Sequence, residues 1–188
     1  MSKAGERSFK LQLTEILQSR KKAILSNWRK RIIATYPEDA HSFLKDQKDR
    51  FANPIGAAIR HGTEALYEGV INCSDRECLC GALEDLVKIR SVQEFSPSKA
   101  VAFVLLLKPA VREELGSELS AGDDLEVQLM DLYGRIDELL LLAFDSYTDC
   151  REKIYNIRIN ELKNNSALAY RRLNRPAKEQ KDNDESRK

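Results

Sequence analysis

Between Asp123 and Tyr170 apolar residues recur at Leu125, Leu129, Leu132, Ile136, Leu139, Ala143, Tyr147, Cys150, Ile154 and Ile157, mostly in steps of three and four. That spacing marks a helix with one long apolar seam. Asp123 and Asp124 suit its N-terminus, where the helix dipole favours negative charge, and the stretch holds no proline and one glycine, Gly134. At ~1.5 Å per residue such a helix spans roughly 70 Å, more than a compact domain of this size needs. The pattern predicts a connector or oligomerisation rod over 123–170, with earlier helices packed on its first half. The seam residues Leu125, Leu129, Leu132, Ile136, Leu139, Tyr147, Ile154 and Ile157 are the expected interface.

The same period recurs upstream. Phe9, Leu13, Ile16, Leu17, Ile24, Trp28 and Ile32 predict a first helix from about Ser8 to Tyr36, ended by Pro37. A short helix is expected over His41–Phe51. Pro54 suits the first turn of the next helix, which carries Ile55, Ala58, Ile59, Gly62, Leu66 and Val70. Its small residues would let another helix approach closely. Ser74-Asp75-Arg76-Glu77 has capping-box spacing and predicts a helix over Asp75–Arg90, with Leu79, Leu83, Leu86 and Val87 inward. Ser96-Pro97 opens the most apolar helix, Pro97–Leu115, which Pro109 should kink by removing an amide donor. Its residues Phe103, Leu107 and Pro109 are the expected wall of any small-molecule pocket. No segment alternates with period two, and no Asn-Gly or Asp-Gly hairpin occurs. The expected fold is all-α, with about six helices filling 8–172 between a flexible N-terminus (1–7) and a charged disordered tail (173–188).

Composition narrows the class without naming a function. The 188 residues are 42% hydrophobic and 32% charged, with a net charge of +1, so no global excess points to nucleic acid or membrane. No apolar run approaches the ~20 residues of a membrane span, and Val101–Leu107 is far too short. Residues 1–10 lack an apolar signal core, and four cysteines without a signal read as reduced thiols in a cytoplasm. Charge is uneven locally. Met1–Arg31 holds nine Lys/Arg against Glu6 and Glu15, a balance of +7, and Glu113–Glu138 holds nine Asp/Glu against Arg135, a balance of −8. The simpler reading is attraction between neighbouring helices, and the sharper one is contact with a partner or across a dimer.

Catalytic patterns are missing. Adjacent carboxylates such as Glu113/Glu114, Asp123/Asp124 and Asp137/Glu138 point to different helix faces and make no acid–base pair. There is no phosphate-binding glycine loop, nucleophile elbow, HExxH or dinucleotide fingerprint. Cys73, Cys78 and Cys80 form a C-x4-C-x-C cluster that thiolate chemistry allows to hold a metal, but paired C-x2-C spacing is absent, and ordinary small thiols or a redox-responsive pair fit as well. His61, mid-helix beside Ala57, Ala58 and Ala65, has the placement of an axial haem ligand, but half-exposed structural histidines are far commoner. The first helix lacks the interleaved aromatics of a nucleic-acid groove, Trp28 beside Arg29-Lys30-Arg31 excepted, so no nucleic-acid partner is expected. The residues by themselves call for no cofactor and no enzyme.

Several segments together resemble a known family. They are Trp28 with its basic neighbours and Tyr36-Pro37, then Phe51-Ala52-Asn53-Pro54, and above all the run from Arg90-Ser91-Val92-Gln93-Glu94-Phe95-Ser96-Pro97 to Leu107-Lys108. Tyr147, Arg151 and Glu152 fit the same pattern, so the likeness spans about Leu11–Arg158. They resemble the N-terminal domain of RsbRD-type co-antagonists of the RsbT kinase. The resemblance implies a globin-like helical sensor of stress signalling without a required haem, paired as a dimer, whose long helix leads to a C-terminal STAS domain. Past Tyr170 the sequence continues only as a short charged stretch without strands. The expectation is a cytoplasmic, dimeric, non-enzymatic sensor or adaptor with an unnamed protein partner. Its alternatives are a haem or metal redox sensor built on His61 or the cysteines, and a structural accessory subunit.

Overall fold

The structure, a computed structural model, describes residues 12–45, 53–72, 76–93, 95–116 and 123–173. Eight helices occur among them: α1 (12–19), α2 (Lys21–Ile33), α3 (Glu38–Lys45), α4 (Pro54–Ile71), α5 (Arg76–Val92), α6 (Pro97–Val101), α7 (Leu107–Leu115) and α8 (Asp123–Leu173). No strand appears among the described residues, so the protein is all-α. The chain falls into two compact units, one ending at Cys150 and one beginning at Arg151, with α8 contributing to both. The expected flexible segment 1–7, the serine–aspartate half of the capping box and residues 174–188 lie outside the described residues.

Two expected helices are each divided, which raises the count from six to eight. The first breaks at Arg20, whose backbone (φ −99°, ψ 6°) leaves the helical region. The Arg20 guanidinium donates to the Glu114 carbonyl, which ties the break to the end of α7. The second division corrects the reading of Pro109. Pro97–Leu115 is two helices joined by turns over 102–106, in which Leu105 N donates to Ala102 O (3.1 Å) and Lys108 N to Leu105 O (3.1 Å). In an unbroken helix the Pro109 ring would press on the Leu105 carbonyl. Here Pro109 sits in the first turn of α7, where an amide has no helical partner to lose. The Phe103 carbonyl accepts the Trp28 indole N–H at 2.8 Å.

Other starts follow local chemistry. Asn53 caps α4 by accepting the Gly56 amide (2.7 Å), with Pro54 at the first helical position. Ser96 occupies the cap position of α6 with extended backbone, but its hydroxyl faces Ser98 and leaves the amides alone. Glu38 and Asp39 place negative charge in the first turn of α3. α8 runs through Asn164-Asn165-Ser166 without a break, the Ser166 hydroxyl bonding back to the Leu162 carbonyl (2.8 Å).

The core of the first unit gathers Trp28 and Ile32 of α2, Leu66 and Tyr67 of α4, Leu83 and Leu86 of α5, Phe103 of the connecting turn and Leu107 of α7. Leu125, Leu129, Leu132, Ile136, Leu139, Ala143 and Tyr147 of α8 complete it. Gly62 lets α4 and α5 close, since a Cβ there would lie 2.6 Å from Leu86 Cδ1. Neighbouring helices also pair charges: Lys21 of α2 reaches Glu64 (3.2 Å) and Glu68 (2.8 Å) of α4, and Arg31 of α2 pairs with Glu113 of α7.

Candidate functional site

The residues singled out in the sequence do not converge. His61 is exposed on α4, and Cys78 and Cys80 are exposed on α5. Cys73 lies outside the described residues, and Cys150 is half-buried on α8. Among the described residues no three His, Cys, Asp or Glu side chains are grouped as a metal site. Phe103 and Leu107 are buried and Pro109 is exposed.

The seam of α8 is divided by burial. Leu125, Leu129, Leu132, Ile136, Leu139 and Tyr147 pack into the chain's own core, whereas Ile154 is half-buried and Ile157 exposed. A second apolar face lies open on the same helix. Val127 (64% exposed), Met130 (52%), Leu141 (66%) and Phe144 (50%) follow one another, with Gly134 and Asp137 between, in steps of three and four. Beyond Cys150, Tyr155, Ile159, Leu162, Ser166 and Ala169 step by fours and threes, and all are exposed. Sequence reading missed this face because the buried seam beside it has the stronger apolar pattern.

Two buried polar side chains also escaped it. Arg90 is 1% exposed. Its Nε donates to Ala100 O (2.9 Å) and its Nη2 to Lys99 O (3.1 Å) and Thr35 Oγ1 (3.2 Å). Its guanidinium lies 4.4 Å from the Phe95 ring centre, 5.1 Å from Tyr36 and 5.7 Å from Phe103. Burial lowers the pKa of Arg90, against a smaller opposing effect of Tyr36, and burial raises that of the Tyr36 hydroxyl. No carboxylate pairs with Arg90 among the described residues. The arginine instead caps the carbonyl end of α6 and stacks on rings, a structural role for a cation. The signal was available, since position 90 continues the inward series Leu83, Leu86, Val87.

Gln128 is the other. It lies on the core side of α8 between Leu125 and Leu129, where the seam calls for an apolar residue. Its Oε1 accepts the Leu13 amide at 3.2 Å. A backbone N–H only donates, which assigns that atom as oxygen and leaves Nε2 as a donor. Nε2 is buried and has no hydrogen-bond partner among the described residues. An unsatisfied buried amide donor costs about 1–3 kcal/mol. Gln128 lines a cavity of about 400 Å³ with Leu13, Thr14, Leu17, Ile71, Met130, Asp131, Gly134, Arg135 and Glu138. Arg135 in this wall donates through Nη1 to the Val70 (2.6 Å) and Ile71 (3.1 Å) carbonyls, holding α8 to the end of α4. The lining offers an apolar floor and an acidic rim.

No described helix is long and apolar enough to cross a membrane. An uncharacterized protein of Archaeoglobus fulgidus is 28% identical over 148 residues, which cover 75% of this chain and 83% of that protein. No solved structure matches the chain. Residues 22–162 match the family described as RsbT co-antagonist protein rsbRD N-terminal domain, a stretch that includes α2 to α7 and most of α8. By this match the chain belongs to the rsbRD N-terminal domain family of regulatory signalling domains.

Proposed function

We propose that this protein is a non-enzymatic, cytoplasmic sensor or adaptor that works as a homodimer and signals by protein–protein contact. The observation that carries the reading is the open apolar face of α8, Val127, Met130, Leu141 and Phe144, on a helix whose other side is already buried in the core. Four large apolar side chains at helical spacing favour a covered face over a solvated one. A second copy suits it, because a two-fold axis sets the same stripe against itself and needs no charged complement. Gly134 adds to the fit, as nothing lies within 4 Å of where its Cβ would be and a facing helix meets no side chain there. Tyr155, Ile159 and Leu162, exposed and at the same helical spacing, continue this stripe along α8. A rearrangement of the first unit would reach the partner through this helix.

Sedimentation velocity tests this. The unmodified chain should sediment at twice its 21.5 kDa. Leu141→Asp with Phe144→Asp should weaken association by about 30-fold or more while leaving the helical circular dichroism and melting curve intact. A monomeric wild type at about 100 μM, far above the Kd of a specific dimer, would sink the reading. So would a folded double variant that remains dimeric.

A further inference from the structure

The charges along α8 bear on how two copies lie together, and the inference drawn from them rests on pairing through this helix. From Asp123 to Cys150 the helix carries eight Asp/Glu against Arg135, a balance of −7. From Arg151 to Leu173 it carries six Lys/Arg against Glu152 and Glu161, a balance of +4. The helix dipole favours acid at the start and base at the end, but only within the first and last turns. It does not account for Asp131, Glu138 and Asp149 on one half, or for Lys153, Arg158 and Lys163 on the other. All six are exposed, and none joins an ion pair among the described residues. A parallel pair of α8 helices sets acid beside acid and base beside base along its length. An antiparallel pair sets each against the other.

Side-chain size agrees with charge. In a parallel pair each residue of the open stripe lies level with its own copy, so Gly134 faces Gly134, Ser166 faces Ser166, and Asp137 meets a second carboxylate. An antiparallel pair centred on exposed Thr148 keeps the stripe in register with itself. It lays Gly134 level with Leu162 of the other copy, Met130 with Ser166 and Leu141 with Tyr155. A small residue then faces a large one at the first two levels, and nothing lies within 4 Å of the Gly134 Cβ position to obstruct the leucine. We infer that two copies pair antiparallel along α8, the acidic 123–150 segment of each lying on the basic 151–173 segment of the other. A shift in the first half of α8 in one copy then acts on the far segment of its partner.

The test uses the unmodified full chain at low salt, treated with a carbodiimide that joins a carboxylate to an amine without a spacer. Mass spectrometry of the digested dimer should show a link between Asp131 and Lys163. These residues are 32 positions apart in one helix, ~48 Å along its axis, and a parallel pair separates them as far across copies. The antiparallel register brings them within ~3 Å of the same level. Sedimentation gives an independent sign. Association should weaken about threefold or more between roughly 50 and 300 mM NaCl as attraction is screened, whereas a parallel pair would tighten. Lys163→Glu should weaken association about fivefold or more at low salt, and adding Asp131→Lys should restore it. Both positions are exposed, so the fold should tolerate these changes. A dimer that lacks the link, tightens with salt or ignores Lys163→Glu overturns the orientation and leaves pairing through α8 standing. A monomer overturns both.

Discussion

Arg90 shows how a residue that reads as surface charge becomes the centre of a local structure. A guanidinium has five donors in a rigid fork, and here three of its contacts go to Ala100 O, Lys99 O and Thr35 Oγ1 while its plane lies among Tyr36, Phe95 and Phe103. One side chain thereby joins the segment after α2, the end of α5, the turn before α6 and the end of α6. The stretch Arg90–Lys108, most telling for the family, is in this light a set of packing residues. Arg90→Ala should lower unfolding stability by about 3 kcal/mol, because it strands buried carbonyls and opens space among the rings. Arg90→Lys should recover less than half of that, since an ammonium lacks the planar fork. Urea unfolding measures both, and a loss under about 0.5 kcal/mol for the alanine variant would mean that the cluster is incidental. Gln128 is the same lesson: a polar residue at a core position of the seam, with one end satisfied by Leu13 and the other meeting no partner among the described residues.

At the scale of elements, periodicity located the helices and left their ends and breaks to other forces. The starts at Pro54 and Pro97 were readable because proline lacks an amide that the first turn does not use. Pro109 obeys the same rule, but its place in an apolar run made it resemble an internal kink. Only the turns over 102–106, which leave the Phe103 carbonyl to Trp28, reveal that it opens a new helix. Arg20 likewise has no sequence signal of a break, since the break depends on a carbonyl some ninety residues away. The close approach of α4 and α5 was foreshadowed by the small residues of α4, and the contact proves to be Gly62 on Leu86. Gly62→Ala should therefore be destabilising by about 1–3 kcal/mol, against the usual gain of replacing a helical glycine, because buried Leu86 has little room to move. A thermal melt that rises in that variant would show that the two helices can separate at no cost.

At the scale of the whole molecule, α8 takes part in two compact units, and burial changes along it. Up to Tyr147 its seam is core, whereas every side chain described from Tyr155 to Arg171 is exposed. Removing residues 159–188 should leave the urea stability of the remaining chain within about 0.5 kcal/mol of the original, since exposed side chains contribute little to folding. A loss above about 1 kcal/mol would mean that this part of α8 buries surface the present structure leaves open. The same truncation should weaken self-association, which sedimentation reads separately.

The sequence by itself determined the helical class, the order of the apolar stretches, the length of α8 and the membership of a family, because all four depend on local periodicity and local motifs. Only the tertiary structure decided which of two apolar faces of α8 is core and which is open, because that depends on which helices arrive to cover it. It also decided that Arg90 and Gln128 are interior, since a charge or an amide is tolerated inside only where distant carbonyls, rings and amides meet it. The exposure of His61 and of Cys78 and Cys80 belongs to the same class of fact. Residue type names the chemistry a side chain can perform, and packing decides where it is brought to perform it.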